Sequence, residues 1–568
     1  MSTVIFDIEC NGFIDTVTRC VCIGYQIGGA DPIIAHTPDQ IKEALAAIEN
    51  AETAVGHNVI AFDLPVLRKL YPQWRGPLGT VRDTLTLARL ISPDIRNDDL
   101  QTEDFPGNLV GSHSLKAWGY RLNISKGDAL EGITDFSTLE YSDALGDYCK
   151  QDVVVTSLLY NRVKSKGFSD QSIDLEHKFA EAIFNQMQNG FVFNSALAGS
   201  LYASLASERN DLITELQSLV PAAEQKLKTK TKLIPFNPAS RKQIAHMLKE
   251  QYGWIPTEFT PGGEPKVDES VLETLDYPIA KKLSKYLLIQ KRIGMLAEGD
   301  EAWLKVEKKG RIYGFVNHNG AVTGRCTHRG PNMAQVPSCG SPYGKECRSL
   351  FGVPTGMSLV GVDAAGLELR CLAHYMARWD DGAFAKELLE GDIHTANQQA
   401  AGLETRNQAK SFIYAFLYGA GPAKLGSVVG GGYAEGKKLQ QRFLTKVPAL
   451  KMLKAAVETA AERGVIIGID GRRLRIRSAH AALNTLLQSA GAIAMKQATV
   501  LMSEQAAAYG AKQVAHIHDE IQWEVPDQHA EAWAVLCKDC ITKAGEMLNF
   551  RCRLDGASRV GKTWADTH

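Results

Sequence analysis

Five side chains in the first part of the sequence have the types and spacing of a metal-dependent hydrolytic site. Asp7 and Glu9 are two residues apart in an apolar run, so both carboxylates would lie on one face of a β-strand. Asp63 follows in the segment HNVIAFD, and Tyr148 and Asp152 are one helical turn apart in YCKQD. Four carboxylates in one site repel one another unless cations lie among them, and such oxygen ligands suit Mg²⁺ or Mn²⁺. Two ions about 4 Å apart activate water and stabilise a departing 3′-oxygen, and Tyr148 could orient the water.

A second set of acids lies in the last third of the chain. Asp363 ends the apolar run LVGVD, and Asp519 and Glu520 lie at the corner of an expected hairpin, VAHIHDEIQWEVP. An Asp at a strand end could simply cap the following helix. Together with the hairpin acids, however, it predicts a site where two Mg²⁺ ions hold a triphosphate for phosphoryl transfer.

The segment TRNQAKSFIYAFLYGAG carries a regular series of basic and aromatic residues. Arg406, Lys410, Tyr414 and Tyr418 recur every four residues, so on a helix they form one slowly winding stripe. Two cations followed by two rings would suit a triphosphate tail and a flat base. The alternative is that the aromatic residues belong to the core.

The surrounding pattern predicts elements that would place these residues. Strands are expected at 3–8 and 20–27, with helical and strand-like segments alternating to about residue 165. Helical spacing then runs from Ile173 to Val220. Further along, we expect a helix-rich block at 366–463, strands at 465–477, a helix at 480–508 and the hairpin. The fold class is therefore an α/β domain followed by a multidomain α+β body.

Composition narrows the class of protein. The 568 residues carry a net charge of −1, but residues 1–165 hold −8 and the remainder +7. The sequence has no apolar run of the ~18 residues needed to span a membrane, and its acidic start is unlike a signal peptide. Eleven cysteines without a repeated pair spacing indicate ordinary thiols in a reducing cytosol. We therefore expect a cytoplasmic protein.

The first set of acids resembles the 3′–5′ exonuclease domain of the DnaQ-like group, which has an RNase H-like fold. The order D-x-E, N-x₄-D and Y-x₃-D carries the resemblance over about residues 1–165. It implies that Asp7, Glu9, Asp63 and Asp152 bind metal and that Tyr148 orients the attacking water.

The rest of the chain resembles family A DNA polymerases, specifically the replicative enzymes of short-tailed phages. The resemblance implies that Asp363, Asp519 and Glu520 are the catalytic acids, and that Ala364 contributes to the metal and nucleotide contacts. It assigns nucleotide contacts to Arg406, Lys410, Tyr414, His394 and Glu368. TGRCTHRGPNMAQVP and LNTLLQSAGA resemble DNA-binding segments, implying DNA contacts by Arg325 and Gln488.

The resemblance also implies a domain order. An exonuclease domain is expected at 1–165, a thumb at 173–300, a palm at 301–375 and 484–568, and fingers at 376–483. One departure is Ala365, where close phage relatives have Ser. The larger departure is in the thumb, where only fifteen residues separate Val220 from Phe236. That is too few for the thioredoxin-binding insertion of some relatives, so we expect no thioredoxin partner. In the short segment between Val220 and Phe236, lysines alternate from Lys226 to Lys232. They form either a solvated face or a contact to DNA phosphates.

These features predict a DNA-directed DNA polymerase with 3′–5′ proofreading that replicates a phage genome. Two Mg²⁺ ions are expected at each site, with Mn²⁺ as a substitute. The expected partners are primer–template DNA, deoxynucleoside triphosphates and, as a candidate, a replicative helicase–primase, with no membrane. The alternatives are a gap-filling or lesion-tolerant polymerase of the same family, and a 3′–5′ exonuclease whose body only clamps DNA.

Overall fold

The computed structural model describes residues 2–124, 132, 135–226 and 231–568. It has two compact units. The first comprises Met1–Asn189, Val316–Thr327 and Val360–Val560, and the second comprises Gly190–Phe315, His328–Leu359 and Gly561–His568. Most of the lysine-rich stretch from Lys226 to Lys232 lies outside the described side chains. In the described part of the chain, no helix is long and apolar enough to cross a bilayer.

The strands, in chain order, are β1 (Thr3–Cys10), β2 (Cys20–Ile27), β3 (Ile33–Ala35), β4 (Thr53–Gly56), β5 (Thr80–Asp83), β6 (Phe191–Phe193), β7 (Ala223–Lys226), β8 (Thr231–Ile234), β9 (Arg311–Ile312), β10 (Phe315–Asn317), β11 (Thr327–Arg329), β12 (Phe351–Gly352), β13 (Met357–Ala364), β14 (Val465–Ile467), β15 (Arg473–Arg475), β16 (Lys512–Ile517), β17 (Glu520–Pro526) and β18 (Gly556–Gly561).

The α-helices are α1 (Pro38–Glu49), α2 (Asp63–Leu70), α3 (Thr84–Ile91), α4 (Ile95–Asp99), α5 (Leu115–Arg121), α6 (Asp143–Lys164), α7 (Asp170–Asn189), α8 (Ser195–Leu219), α9 (Arg241–Tyr252), α10 (Glu269–Glu273), α11 (Pro278–Ile293), α12 (Trp303–Val306), α13 (Gly344–Ser349), α14 (Leu367–Asp380), α15 (Ala383–Glu390), α16 (Ile393–Ala401), α17 (Arg406–Leu417), α18 (Pro422–Ser427), α19 (Tyr433–Lys446), α20 (Pro448–Ala461), α21 (Ala482–Tyr509) and α22 (Ala530–Met547).

A five-stranded sheet forms the first part of the first unit. Its strand order is β3-β2-β1-β4-β5, with β1 antiparallel to β2 and parallel to β4. On one face of β1, Phe6 lies in an apolar core, whereas Ile5 on the other face packs with Val153 of α6. Because side chains alternate along a strand, Asp7 and Glu9 share the face that is turned towards α6.

A second sheet of the first unit has the order β16-β17-β13-β18. The predicted hairpin is confirmed as β16 and β17, but Glu520 begins β17 and only His518 and Asp519 form the corner. His518 has a φ of 59°. A two-residue corner with positive φ at its first position is typical of a tight hairpin. The positive φ of His518 therefore makes the turn, and the turn does not require the side chain of Asp519.

The predicted helical run from Ile173 to Val220 is wrong in its middle. Helix α7 ends at Asn189, β6 follows, and α8 begins at Ser195. Gly190 has a φ of 60°, and a Cβ at this residue would lie within 2.7 Å of the Tyr313 ring. The backbone conformation at Gly190 therefore requires glycine and ends the helix. The chain passes here from the first compact unit to the second.

The second unit is built around large apolar side chains. Strand β6 pairs with β12 and β9 in a three-stranded sheet. Phe191, Phe193, Trp303, Phe351 and Trp564 pack with ring centroids 5.3–6.3 Å apart. Such edge and tilted contacts add to the energy of burial. The two units therefore have separate apolar cores.

A buried cluster of ion pairs connects four segments of the first unit. Glu176 of α7 is fully buried, and its carboxylate lies 2.6 Å from Lys496 Nζ, 2.8 Å from Arg472 Nη1 and 3.2 Å from His318 Nδ1. Arg472 also forms an ion pair with Asp470. Burial alone would raise the pKa of Glu176, but the charges of Lys496 and Arg472 hold this pKa below its ordinary value. The carboxylate is therefore ionised in the folded protein.

We expect Lys496→Met to destabilise the protein by about 3 kcal/mol or more, because removing one member of a buried ion pair leaves an uncompensated charge. Lys178→Met is the matched control, since Lys178 lies on the same helix as Glu176 but forms an exposed pair with Glu504. Loss of such a pair costs about 0–1 kcal/mol. Urea denaturation of the three proteins gives the free energies of unfolding. Equal losses for the two variants would contradict a structural role for the cluster.

Candidate active sites

The first acid site forms where β1 meets α6. Asp7, Glu9 and Cys149 offer ligand atoms that lie within 4.8 Å of one another. The Cys149 thiol also donates to the backbone carbonyl of Asp7 at 3.6 Å, which links α6 to β1. The charges of Asp7 and Glu9 contribute to a raised pKa of Cys149, after its hydrogen bond with Cys22 and its burial. Burial and these charges therefore favour the protonated thiol, which leaves the carboxylates of Asp7 and Glu9 as the groups that could hold a metal ion.

Asp63 lies at the start of α2 and is buried. The backbone amide of Ile8, between Asp7 and Glu9, donates to its carboxylate, so Asp63 lies against β1. Burial, together with the charges of Asp83 and Glu9, raises the pKa of Asp63 well above its ordinary value. Like charges have thus been brought together here, which favours a cation among them.

The helix α6 carries the remaining predicted members of this site. Tyr148 and Asp152 are one turn apart on α6, on either side of Cys149 in the sequence, as expected. Asp152 is buried and Tyr148 is half-buried. The contact of Cys149 with Asp7 places this part of α6 beside β1.

Sequence reasoning missed Asp83, a buried acid beside this site. It caps α3 by accepting from the backbone amides of Leu85 and Thr86, and it also accepts from those of Asn58 and Ile60. The last two bonds fix the loop that leads to α2 and Asp63. An Asp followed by Thr at the start of an apolar helical run was the available signal, since Asp is a preferred helix cap.

The second acid site lies where β13 meets the β16–β17 hairpin. The Ala364 amide donates to the Asp519 carbonyl at 3.1 Å, so Asp363, the preceding residue, and Asp519 come from adjoining backbones. Burial and the charge of Glu368 raise the pKa of Asp519. Glu520 is buried in β17 and accepts from the Gln522 amide at 2.7 Å. Asp363 is exposed, which leaves its carboxylate accessible.

Glu368 is the centre of a polar group beside Asp519. It lies in the first turn of α14, accepts from the Tyr418 hydroxyl at 3.1 Å and lies 3.8 Å from the Arg325 guanidinium. Burial and the charges of Glu368 and Asp519 raise the pKa of Tyr414. The structure thus brings four predicted residues, Arg325, Glu368, Tyr414 and Asp519, into one neighbourhood. The bond from Tyr418 was not predicted.

Helix α17 carries the predicted stripe on a face separate from its core. Its buried residues are Ala409, Phe412, Ile413, Phe416 and Leu417. Arg406 and Lys410 are exposed, Tyr414 is half-buried, and Tyr418 caps the helix at 48% exposure. The basic residues and Tyr418 are therefore at the surface, whereas Tyr414 also packs against the core, so the core alternative holds for part of that ring.

The basic end of this stripe lies beside α16. Arg406 forms an ion pair with Asp392 at 2.9 Å, and Asp392 caps α16. Burial lowers the pKa of His394, with the charges of Arg406 and Lys410 adding to the effect. His394, Arg406 and Lys410 therefore lie close enough to act on one anionic group. Gln488 is half-buried in the second turn of α21, and no described contact joins it to the other site residues.

Comparison with known proteins shows the family to which the chain belongs. Residues 206–566 match the model of DNA polymerase family A. The chain is 36% identical to the DNA-directed DNA polymerase of Escherichia phage T7 over 706 aligned positions, and 36% identical to that of Enterobacteria phage T3, with 100% of each chain covered. The thermostable DNA polymerase I of Thermus aquaticus is 28% identical over 54% of this chain and 39% of its own length.

A solved structure supports the fold. The POL domain of Pol1 from M. smegmatis, in complex with DNA primer–template and dNTP, superposes with a TM-score of 0.79 at 16% identity. The match covers 99% of this chain and 96% of that one. The family model over residues 206–566 and the full-length matches to the two phage enzymes show that the chain belongs to DNA polymerase family A and is similar to the phage T7 and T3 enzymes.

Proposed function

We propose that this chain copies DNA at the site of Asp363 and Asp519 and removes 3′-terminal nucleotides at the site of Asp7 and Glu9. The observation that carries the proposal is the presence of two separate acid sites in one chain, of which only the second lies beside a basic and aromatic stripe. A stripe suited to a nucleoside triphosphate is needed for synthesis and not for hydrolysis. Family membership implies divalent metal ions, primer–template DNA and deoxynucleoside triphosphates. The assignment of each activity to its own set of residues is part of the proposal.

The donor sets fit hard divalent ions. Both sites offer carboxylate oxygens, and in both the pKa of one acid is raised by burial and by neighbouring acids. These neighbours are Asp83 and Glu9 for Asp63, and Glu368 for Asp519. Oxygen ligands and a surplus of negative charge suit Mg²⁺, with Mn²⁺ as a substitute. We propose that Asp363, Asp519 and the Ala364 carbonyl hold two ions in the polymerase site. When bound, such ions activate the attacking oxygen and neutralise charge on the leaving group.

The residues of the polymerase site then have distinct tasks. Arg406, Lys410 and His394 bind the triphosphate, and Tyr414 stacks beside the sugar and base. Arg325 and Gln488 hold the primer–template. Glu520, fixed by its bond from Gln522, supports the hairpin corner that presents Asp519.

In the exonuclease site, Asp7, Glu9, Asp63 and Asp152 would hold two Mg²⁺ ions. Tyr148 would orient the attacking water, because it lies one helical turn from Asp152 on α6 and so shares a face with it. Asp83 would act through Asp63 by fixing the loop before α2.

We further propose that the chain replicates a phage genome in the cytoplasm of the host, with a replicative helicase–primase as the candidate partner. The full-length likeness to two phage polymerases supports this role. We expect no dependence on thioredoxin. The alignment with the T7 enzyme has 706 positions against 568 residues, so more than a hundred positions are gaps in this chain, and the thumb connection after Val220 is short.

The two activities should be separable. Asp7→Ala/Glu9→Ala should abolish 3′–5′ degradation and retain extension, because the polymerase acids are unchanged, whereas Asp519→Ala should do the reverse. A labelled primer–template with Mg²⁺, with and without nucleotides, reports both activities on one gel. The exposed pair Asp39→Ala/Glu43→Ala on α1 is the control for loss of two acids. Loss of both activities in either site variant would refute the two-site assignment.

Glu368 should discriminate against ribonucleotides. We place its side chain beneath the incoming sugar, where a 2′-hydroxyl would clash, and overpacking of this kind costs about 1–3 kcal/mol, or roughly 5- to 150-fold in selectivity. Glu368→Ala should raise ribonucleotide incorporation relative to deoxyribonucleotide within that range. Tyr418→Phe, which removes the hydroxyl bonded to Glu368, should give a smaller change in the same direction. A ratio unchanged in competition assays of Glu368→Ala rules the assignment out.

Tyr414 should determine the acceptance of dideoxynucleotides. A normal nucleotide brings a 3′-hydroxyl that bonds to its own phosphate tail, and the Tyr414 hydroxyl can take its place when it is missing. An unmade hydrogen bond in a desolvated site costs about 1–3 kcal/mol, or roughly 5- to 150-fold. The natural chain should therefore accept dideoxynucleotides readily, and Tyr414→Phe should discriminate strongly against them.

The measurement is the ratio of incorporation efficiencies for matched normal and dideoxy substrates. Tyr418→Phe is the control, because it removes a hydroxyl from the next ring of the same stripe. If Tyr414→Phe shifts the ratio no more than Tyr418→Phe does, the hydroxyl of Tyr414 does not reach the site.

A further inference from the structure

A cavity of about 530 Å³ lies in the first compact unit, and none of the predicted acids lines it. One wall comes from the N-terminal part of the chain and includes Tyr120 of α5 and Arg162 of α6. The other wall comes from β14 and β15 and includes Val465 and Arg473. Its volume falls in the range of about 300–1,000 Å³ that is usual for ligand sites.

The charges around this cavity do not balance. Of the basic side chains that line it, Arg121 is paired with Asp99, and Arg475 is paired with Asp98. Three others, Arg162, Lys166 and Arg473, form no ion pair with any residue that the structure describes. Both acids of the lining are thus already neutralised, and a positive surplus remains for an anionic ligand.

Aromatic rings lie among these cations. Tyr120 is 51% exposed and meets Phe105 edge to face at 6.3 Å, so its ring is held but still accessible. Phe168 is half-buried and also lines the cavity. Rings that remain open beside unpaired Arg and Lys side chains are the combination that binds single-stranded nucleic acid, with bases stacked on the rings and phosphates at the cations.

We propose that this cavity binds a segment of single-stranded DNA, with a base against Tyr120 and backbone phosphates at Arg162, Lys166 and Arg473. The inference rests on the proposed function, which supplies DNA with single-stranded parts. Two such parts share this chemistry, the 5′ extension of the template and an unpaired 3′ end of the primer. A free nucleotide would use the same groups but has no neighbouring phosphates along a strand.

Fluorescence anisotropy in EDTA, where neither activity proceeds, can measure binding to three DNAs. These are a blunt duplex, a duplex with a 5′ template extension of about twelve nucleotides, and a duplex with an unpaired primer 3′ end of the same length. This length falls within the site sizes of single-strand binding domains. We would compare the natural chain with Arg162→Ser/Lys166→Ser and with Tyr120→Ala. The control is Lys42→Ser/Arg75→Ser, which removes two exposed cations from the same part of the chain but outside the cavity.

For the single-stranded DNA that occupies the cavity, we expect the double Ser variant to bind about fivefold more weakly. The slope of log affinity against log salt should fall in magnitude by about 1.4, since each lost contact to a single strand accounts for about 0.7. Tyr120→Ala should weaken binding about fivefold or more without changing that slope, because it removes stacking and no charge. The control variant should match the natural chain. Whichever extended DNA shows the loss identifies the strand.

Equal binding of both extended DNAs by the natural chain and the double Ser variant would overturn the inference. A competition experiment could also overturn the inference. If millimolar deoxynucleoside triphosphate displaced both extended DNAs from the natural chain but not from the double Ser variant, a free nucleotide would be the ligand of the cavity. Binding of the blunt duplex should be the same in all variants, and all of them should still extend a primer with Mg²⁺ when the primer–template is saturating. Absence of primer extension in the natural chain would instead reject the proposed function.

Discussion

The buried carboxylate of Glu176 couples four segments of the first compact unit. It lies on α7, and its partners come from α21, from the loop between β14 and β15, and from the segment that contains His318. A charge without water must keep its partners within hydrogen-bonding distance, because the alternative is a large desolvation cost. The positions of four segments are therefore coupled. Two of these segments carry proposed DNA contacts, Gln488 on α21 and Arg325 after His318.

Both proposed active sites depend on acids held closer than their charges favour. In each, burial and the charges of neighbouring acids raise the pKa of one acid, the buried Asp63 in the first site and the half-buried Asp519 in the second. Backbone hydrogen bonds hold these acids in place against their mutual repulsion. The Ile8 amide donates to the Asp63 carboxylate, and the Ala364 amide donates to the Asp519 carbonyl. Divalent ions would relieve it. Metal binding and local stability are then linked, since a ligand that binds the folded state alone stabilises it.

The sequence was sufficient where a feature repeats along one element. The alternation around Asp7 and Glu9 predicted a strand, and the four-residue repeat from Arg406 to Tyr418 predicted a helix that carries these residues along one stripe. It failed where distant segments meet. Glu176 and Lys496 are 320 residues apart, and Glu368 and Tyr418 are 50 apart. No local pattern encodes such pairs, because only the folded chain decides which polar groups are buried together. Gly190 shows the opposite failure, a local backbone requirement that was hidden inside a helical pattern.

The opposite charges of the two parts of the chain, −8 for residues 1–165 and +7 for the remainder, suggest that electrostatic attraction holds them together. The contacts between α4 and the β15 region indicate a smaller role. Arg475 and Asp98 are each about half exposed, whereas in the second pair Arg477 is 59% exposed and its partner Asp94 is buried. Exposed pairs contribute about 0–1 kcal/mol and weaken with salt. Buried groups nearby contribute more to holding the two parts together. His318 forms hydrogen bonds with both Thr86 and Glu176, so it links residues 1–165 directly to the ion cluster. Attachment of the two parts should therefore persist at salt concentrations that weaken DNA binding.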